Sequence, residues 1–260
     1  MNFSIQRIIT IARNTFREAH RDRVLYNLVL FVLLITVSAI FLGELTAGQE
    51  ARTIIDFGLG AILVFGAFIS IFVGVSLVSK EIERRTVFAI FSNPVGRGEY
   101  IVGKYLGLCL TLLVNVLIMG AGVSLAILYV GGGNLAVSIW GAIFLIFLEL
   151  AILTAVAILF SSFSSPALSA LLTFFIFIIG NFTQSLRDFA ANLGSSFTKL
   201  FFDTLYYLLP NLSFYSFRIN AAHGDVPPVN LLGGAFLYAA IYIVVLLTAT
   251  IFIFSRRNFK

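Results

Sequence analysis

Residues 135–160 read LAVSIWGAIFLIFLELAILTAVAILF, an apolar run with a single charged residue, Glu149. A helix that crosses a bilayer needs about 20 predominantly apolar residues, so this stretch is long enough to span a membrane. Its apolar residues are continuous rather than alternating with polar ones, which favours a helix over a strand of a membrane barrel. The stretch therefore predicts a buried transmembrane helix.

The composition of the whole chain agrees with this prediction. Of the 260 residues, 60% are hydrophobic and 11% are charged, and the mean hydropathy is +1.03. Soluble domains average about 25% charged residues. These values exclude a soluble enzyme, a disordered protein and a disulfide scaffold. One cysteine and two histidines also argue against a Cys/His metal site.

We predict an all-α polytopic membrane protein that forms one domain over residues 1–260. Six apolar stretches are of spanning length or close to it. They cover residues 24–42, 57–79, 105–130, 135–160, 168–182 and 234–254.

The basic residues predict the orientation of these spans. Thirteen of the 17 Lys and Arg residues lie before the first span, between the second and third, or after the sixth. Cytoplasmic loops carry an excess of Lys and Arg, so we expect a multi-pass protein of the cytoplasmic membrane with both termini in the cytoplasm. We expect the basic surface to face membrane lipid and not nucleic acid.

Residues 1–23 precede the first span, and within them residues 3–21 are predicted to form an amphipathic helix. At 100° per residue its apolar residues share one face and its arginines another, although Ile11 breaks the pattern. We expect this helix to lie in the lipid headgroup layer, the alternative being a soluble basic face.

The most charged connection follows the second span. Residues 80–104 read KEIERRTVFAIFSNPVGRGEYIVGK, and the Asn-Pro and Gly-Arg-Gly stretches break an amphipathic helix placed within residues 80–95. A helix that mixes charge with exposed aromatics between two spans indicates a docking element for a partner, the alternative being an ordinary basic loop.

Residues 98–104 match the first part of a P-loop, but Tyr105 stands where that motif needs Ser or Thr to hold Mg²⁺. We therefore expect no nucleotide or other cofactor in this chain, and any ATP-driven work needs a separate subunit.

A long external connection, residues 183–232, is predicted before the last span. Within it, the apolar stretch FTKLFFDTLYYLL at 197–209 is too short to cross a bilayer and fits an interfacial or re-entrant helix.

Polar residues inside the spans are the other candidates for a functional site. Glu149 lies at the middle of the fourth span, where a charge costs about 2.5–3.5 kcal/mol on insertion scales. It is expected to be protonated or to meet a polar group of another helix, and Asn115 of the third span is one candidate. Glu149 either lines a translocation pathway or makes a structural hydrogen bond.

The residues from Glu81 to Gly107, EIERRTVFAIFSNPVGRGEYIVGKYLG, together with the span order and the basic C-terminus SRRNFK, resemble the membrane subunits of type-2 ATP-binding-cassette (ABC) exporters. The nearest subgroup is that of the permeases of multicopper-enzyme maturation systems, such as the system for nitrous oxide reductase.

The resemblance implies half of a transmembrane dimer, of identical or homologous chains, driven by two ATPase subunits that carry the ATP and Mg²⁺. It also implies that the charged helix is the coupling helix and that residues 161–166 are a minor contact. The residues expected to contact the ATPase are Glu81, Ile82, Glu83, Arg84, Arg85, Val87, Phe88 and Phe91.

Two other functions stay open. The chain could transmit ATPase motion to an external partner without moving a solute, and the long external connection permits this. A stand-alone secondary transporter would be expected to carry several intramembrane charges, whereas Glu149 is essentially alone here. The sequence does not identify the cargo.

Overall fold

The computed structural model describes residues 2–21, 30, 31, 34, 38, 49–83, 96–192, 204 and 209–256, with backbone alone at 2–3, 20–21, 78, 80–83 and 184–192. All the regular structure in these residues is helical. The elements, in chain order, are α1 (Asn2–Arg21), α2 (Glu50–Glu83), α3 (Arg97–Tyr129), α4 (Gly133–Ser161), α5 (Pro166–Asn192), a 3-10 helix (Leu212–Tyr215), α6 (Arg218–Ala222) and α7 (Val229–Arg256).

Five of the described helices, α2, α3, α4, α5 and α7, are long and apolar enough to cross a membrane. They correspond to the second to sixth predicted spans, so the all-helical, multi-pass fold is confirmed. Most of the first predicted span, residues 24–42, lies outside the described residues. Phe31 belongs to that span, and its ring packs edge-to-face on Phe65 of α2 with centroids 5.7 Å apart.

Several helices extend beyond the predicted spans. α2 continues without a break to Glu83, so residues 80–83 extend the second spanning helix and do not begin a separate one. α5 reaches Asn192 instead of ending at residue 182, and α7 begins at Val229 instead of residue 234. Hydropathy identifies the apolar part of a helix, whereas its hydrogen bonds continue into polar residues.

The centre of the bundle is α4, which contacts α2, α3, α5 and α7. Almost every residue from Leu145 to Ile158 is buried. A helix that is apolar on all sides has no face suited to water, so it is stable where other helices surround it. This explains why residues 135–160 carry the strongest apolar signal.

Small residues bring the neighbouring helices close to α4. A Cβ added at Gly66 of α2 would lie 2.3 Å from Leu150, and one at Gly120 of α3 would lie 2.8 Å from Ile143. These glycines therefore serve packing within the chain, because a larger side chain would separate the helix backbones.

The bundle has two distinct ends. At one end α3 turns into α4 through Gly131, whose φ of +84° favours glycine, and Gly132 lies against Ala51 at the start of α2. At the other end α2 finishes, α3 begins and α7 finishes, with α1 packed alongside α3. We call the end where α3 begins and α7 finishes the junction end. The end where α3 turns into α4 is the opposite end.

Candidate functional site

The opposite end of the bundle is covered by residues 209–228, which we call the cap. The cap contains the 3-10 helix and α6, and these pack on α2, α4 and α5. Gly180 of α5 allows the cap to pack closely against α5, because a Cβ at this position would lie 2.8 Å from Leu212 and 3.0 Å from the Pro210 carbonyl oxygen. Leu212 and Tyr215 of the cap are fully buried. The cap is therefore part of the packed structure.

Glu149 lies at the base of the cap. Its side chain is 1% exposed, and Oε1 accepts a hydrogen bond of 2.8 Å from Nδ2 of Asn181 on α5. The same amide nitrogen donates to the Phe177 carbonyl oxygen at 3.1 Å. Glu149 thus links α4 to α5 through a buried polar contact, which is what a carboxyl group in an apolar bundle requires.

The cap brings further polar groups towards Glu149. Arg218, the first residue of α6, is near enough for its charge to act on the Glu149 carboxyl group. Its Nη1 lies 3.0 Å from the position that a Cβ on Gly60 of α2 would occupy. The absence of a side chain at Gly60 therefore leaves room for the guanidinium against α2.

Tyr215 completes the cluster and joins the cap to α7. Its hydroxyl group donates to the Ala235 carbonyl oxygen at 3.1 Å. Burial raises the pKa of Tyr215, and the nearby Tyr238 and Glu149 raise that pKa further. The phenol therefore stays protonated and remains a donor across the ordinary pH range. Tyr238 in turn accepts a hydrogen bond of 3.0 Å from the backbone nitrogen of Asn211.

Asn115 was a candidate partner of Glu149, and this pairing is wrong. Its Nδ2 donates to the Thr111 carbonyl oxygen of its own helix at 2.7 Å, and its buried Oδ1 has no hydrogen-bond partner among the described residues. Ile143 marks the side of α4 that faces α3. Glu149 is six residues further on, about 120° round the helix, so its side chain is directed away from α3.

At the junction end, Glu99 holds α1 against the first turn of α3. Its Oε2 accepts a hydrogen bond of 3.1 Å from the Gly96 backbone nitrogen, which caps the helix. The carboxylate also accepts a hydrogen bond from the Ser4 hydroxyl group and pairs with Arg7 at 3.7 Å. One side chain therefore both starts α3 and binds α1.

Two glycines let α1 approach α3 along its length. A Cβ on Gly103 would lie 2.8 Å from Cβ of Ile11, and one on Gly107 would lie 2.6 Å from Cβ of Thr15. Both helices advance by four residues between these contacts, so they run side by side in the same direction. Ile11, the residue that breaks the amphipathic pattern of α1, is thus a packing residue.

The segment that matches a P-loop start lies within this contact. Residues 98–104 are part of the continuous helix α3 and form no phosphate-binding loop. Lys104 is 4% exposed, pairs with Glu18 of α1 at 3.6 Å and lies 5.9 Å from the Tyr100 ring centroid. Its charge therefore serves the contact between helices.

Arg97 joins the start of α3 to the end of α7. Its guanidinium donates to the carbonyl oxygens of Phe254, at 3.2 Å, and Ser255. The rings of Tyr100 and Phe254 stack with centroids 5.9 Å apart. Arginine is well suited to this position, because the last carbonyl groups of a helix lack partners within it and carry partial negative charge.

The structure describes only three of the eight predicted ATPase contacts. Glu81, Ile82 and Glu83 form the last turn of α2, described by backbone alone. Arg84, Arg85, Val87, Phe88 and Phe91 lie outside the described residues. The predicted minor contact, residues 161–166, comprises the last residue of α4, a turn at 162–165 and the first residue of α5. The hydroxyl groups of Ser164 and Ser169 are 2.6 Å apart. The apolar stretch 197–209 is also largely outside the described part of the chain.

Sequence reasoning missed three members of the cluster at the base of the cap. Asn181 lies near the end of the fifth predicted span, residues 168–182, and Arg218 and Tyr215 fall in the long external connection. An amide at the end of an apolar run was the available signal for Asn181. Nothing local marks Arg218 or Tyr215, because their proximity to Glu149 depends on how the cap folds back. The described residues contain no His, Cys, Asp and Glu grouping suited to a metal ion.

Comparison with known proteins gives a consistent result. A family model described as "ABC-2 family transporter protein" matches residues 9–259. A Pseudomonas aeruginosa protein named "Probable ABC transporter permease protein NosY" is 29% identical over 123 residues, which are 46% of this chain and 45% of that protein. A Stutzerimonas stutzeri protein of the same name is 28% identical over 141 residues, which are 52% of this chain and 51% of that protein.

The chain spans about half the length of the curated relatives it matches. The family model, in contrast, covers nearly all of it and agrees with the all-helical, multi-pass structure. The chain therefore belongs to the ABC-2 transporter family of membrane permeases.

Proposed function

We propose that this chain is one half of the transmembrane dimer of an ATP-driven exporter. Two separate ATPase subunits bind on the cytoplasmic side and carry the ATP and Mg²⁺, and both termini of this chain lie on that side. The second half is an identical or homologous chain. The family match and the NosY relatives support this assignment.

The observation that carries the coupling proposal is the arrangement of the junction end. α2 continues through Glu83, and α3 begins at Arg97 in contact with both α1 and the end of α7. A force applied between residues 84 and 95 therefore acts directly on two spanning helices and on the two elements bound to them. This arrangement supports the proposal that the ATPase acts on residues 81–91.

The motion follows from the way packed helices respond to force. ATP binding draws the two ATPase subunits together, and the coupling segments move with them. Close-packed interfaces switch between discrete arrangements and do not deform continuously. Each bundle then passes from inward-facing to outward-facing packing, and the cargo leaves on the side that carries the cap.

The test is co-purification with the ATPase subunit from cells that express both. We expect Phe88→Ala combined with Glu83→Ala to abolish co-purification or to uncouple ATP hydrolysis, since truncating a buried aromatic anchor typically costs an interface 2 kcal/mol or more. Phe72→Ala combined with Glu50→Ala is the matched control, because Phe72 is exposed on α2 and Glu50 lies at the opposite end. Normal coupling in the Phe88 and Glu83 double variant would contradict the docking proposal.

The packed cap favours a second candidate function, the transmission of ATPase motion to an external partner without transport. The cap contacts α2, α4 and α5, so movement of the bundle would move the cap. Reconstituted vesicles distinguish the two functions. Cargo movement that keeps pace with ATP turnover supports export, and turnover with no cargo movement supports transmission.

A further inference from the structure

The charged side chains of α1 that the structure describes fall into two groups according to the side of the helix on which they lie. Those beside α3 are paired, since Arg7 meets Glu99 at 3.7 Å and Glu18 meets Lys104 at 3.6 Å. Arg13 and Arg17 are exposed, and neither has an ion-pair partner in the part of the chain that the structure describes. These two arginines therefore need another explanation.

The helix geometry directs both arginines away from the protein. Ile11 and Thr15 face Gly103 and Gly107 of α3. At 100° per residue, Arg13 and Arg17 lie about 160° round α1 from Ile11 and Thr15 respectively. They are thus on the side opposite α3.

The same contacts fix the level of the arginines along α3. Ile11 is level with Gly103 and Thr15 with Gly107, so Arg13 is level with Tyr105 and Arg17 with Cys109. At this level α3 exposes Leu106 and Leu110, by 45% and 44% respectively. Tyr105 is also the first residue of the predicted apolar span. The arginines therefore lie at the level of the predicted boundary between lipid hydrocarbon and the headgroup layer.

We propose that Arg13 and Arg17 bind the phosphate groups of anionic phospholipids in the leaflet at the junction end. An arginine at such a boundary can lay its apolar stem along the hydrocarbon and extend its guanidinium to the headgroups. The planar guanidinium pairs with phosphate oxygens through two parallel hydrogen bonds.

The proposal concerns lipid and does not depend on the ATPase subunits. The test is lipid binding to the full-length chain in nanodiscs, followed by native mass spectrometry, with phosphatidylglycerol compared against phosphatidylcholine. We expect the wild-type chain to retain phosphatidylglycerol preferentially. Arg13→Gln combined with Arg17→Gln should weaken that binding about fivefold for each arginine removed.

Two control variants separate this effect from a general loss of charge or fold. Arg13→Lys combined with Arg17→Lys keeps the charge and should keep most of the preference. Arg52→Gln removes an exposed charge from the first turn of α2, at the opposite end of the bundle, and should leave this binding unchanged. An equal preference for both lipids in the wild-type chain would overturn the proposal.

Three further outcomes would also overturn it. One is unaltered phosphatidylglycerol binding in the glutamine double variant. Another is displacement of the lipid by inorganic phosphate, which would indicate a site for a free ion. The third is a glutamine double variant that keeps its lipid but loses the ATPase subunit, which would assign the arginines to a protein interface.

Discussion

The side chain of Glu149 is the clearest case in which one residue links sequence, packing and function. It lies in the middle of the most apolar helix, and its carboxyl group would be costly there without a partner. Asn181 supplies a hydrogen bond from α5, and Arg218 brings a positive charge from the cap. These contacts stabilise the packing of α4 against α5 and the cap. A shift of α4 relative to α5 would have to break the hydrogen bond between Glu149 and Asn181.

At this scale we predict a measurable coupling between Glu149 and Asn181. Glu149→Leu leaves an amide N–H of Asn181 without its acceptor and should destabilise the chain by about 1–3 kcal/mol. Asn181→Leu should cost a similar amount, because the buried carboxyl group loses its donor. The double variant replaces both partners with apolar groups and should recover much of the loss.

The measurement is the unfolding midpoint of the detergent-solubilised chain in the four members of this cycle. Glu149→Gln keeps an acceptor oxygen and should stay within about 1 kcal/mol of the wild type. Strictly additive losses in the double variant would show that the two side chains do not interact.

The limits of sequence reasoning are visible in the same residues. A lone charge in an apolar run identifies Glu149 without any structure. Its partner cannot be identified in this way, because each polar residue of the other spans is an equal candidate until the neighbouring helices are known. Asn115 was a reasonable candidate, but it faces another side of the bundle from Glu149.

Among the elements, α1 shows how a helix outside the spans becomes part of the bundle. Its apolar pattern predicted a helix over 3–21, and the structure has one at Asn2–Arg21. The pattern did not predict that α1 would pack lengthwise on α3. Gly103 and Gly107, four residues apart on α3, form a small-residue pattern typical of close helix contact, but the sequence does not show which helix makes that contact.

We predict that Gly107→Ala displaces α1 from α3. The new Cβ would lie 2.5 Å from the Ala12 carbonyl oxygen, which is backbone and cannot rotate away. Overpacking of this kind typically costs about 1–3 kcal/mol. Hydrogen exchange along α1 should accelerate in the variant.

Gly122→Ala is the matched control on the same helix. A Cβ at Gly122 meets nothing within 4 Å, so the change should stabilise α3 by up to about 1 kcal/mol through helix propensity. Equal exchange along α1 in the wild type and in Gly107→Ala would refute the close contact between α1 and α3.

A further prediction concerns the end of α7. Arg97→Gln removes the guanidinium that binds the Phe254 and Ser255 carbonyl groups. The free energy of opening the end of α7 should fall by about 1 kcal/mol. Backbone amide hydrogen exchange over residues 251–256 should therefore be about fivefold faster. Arg52→Gln serves as the control with equal loss of charge. Unchanged exchange over residues 251–256 in Arg97→Gln would show that the Arg97 hydrogen bonds do not stabilise the end of α7.

In the molecule as a whole, the two ends of the bundle have different characters. The junction end concentrates paired charges between α1 and α3 and the Arg97 contacts with α7. The opposite end carries the cap, seated on Glu149 and its neighbours. The spanning helices connect these two ends, which is the arrangement that the proposed coupling function requires.

Most of this arrangement could be predicted because it depends on hydrophobicity. The apolar runs identified five helices that the structure describes, and the family resemblance rested on a continuous stretch from Glu81 to Gly107. The packing of the cap on the bundle could not be predicted, because it depends on long-range contacts such as those of Gly180 with Leu212 and of Gly60 with Arg218. These residues are far apart in the chain, and no local pattern connects them.

The most direct test is site-specific crosslinking between this chain and the ATPase subunit in membranes. Phe88→Cys is introduced together with Cys109→Ala, so that one thiol is present, and Asn134→Cys in the same background serves as the control at the opposite end. We predict that the thiol at position 88 crosslinks to a nucleotide-hydrolysing subunit from the cytoplasmic side and that the thiol at 134 does not. Labelling of position 88 by an impermeant reagent added outside the cell, or the absence of any crosslink to an ATPase, would contradict the coupling function proposed for residues 81–91.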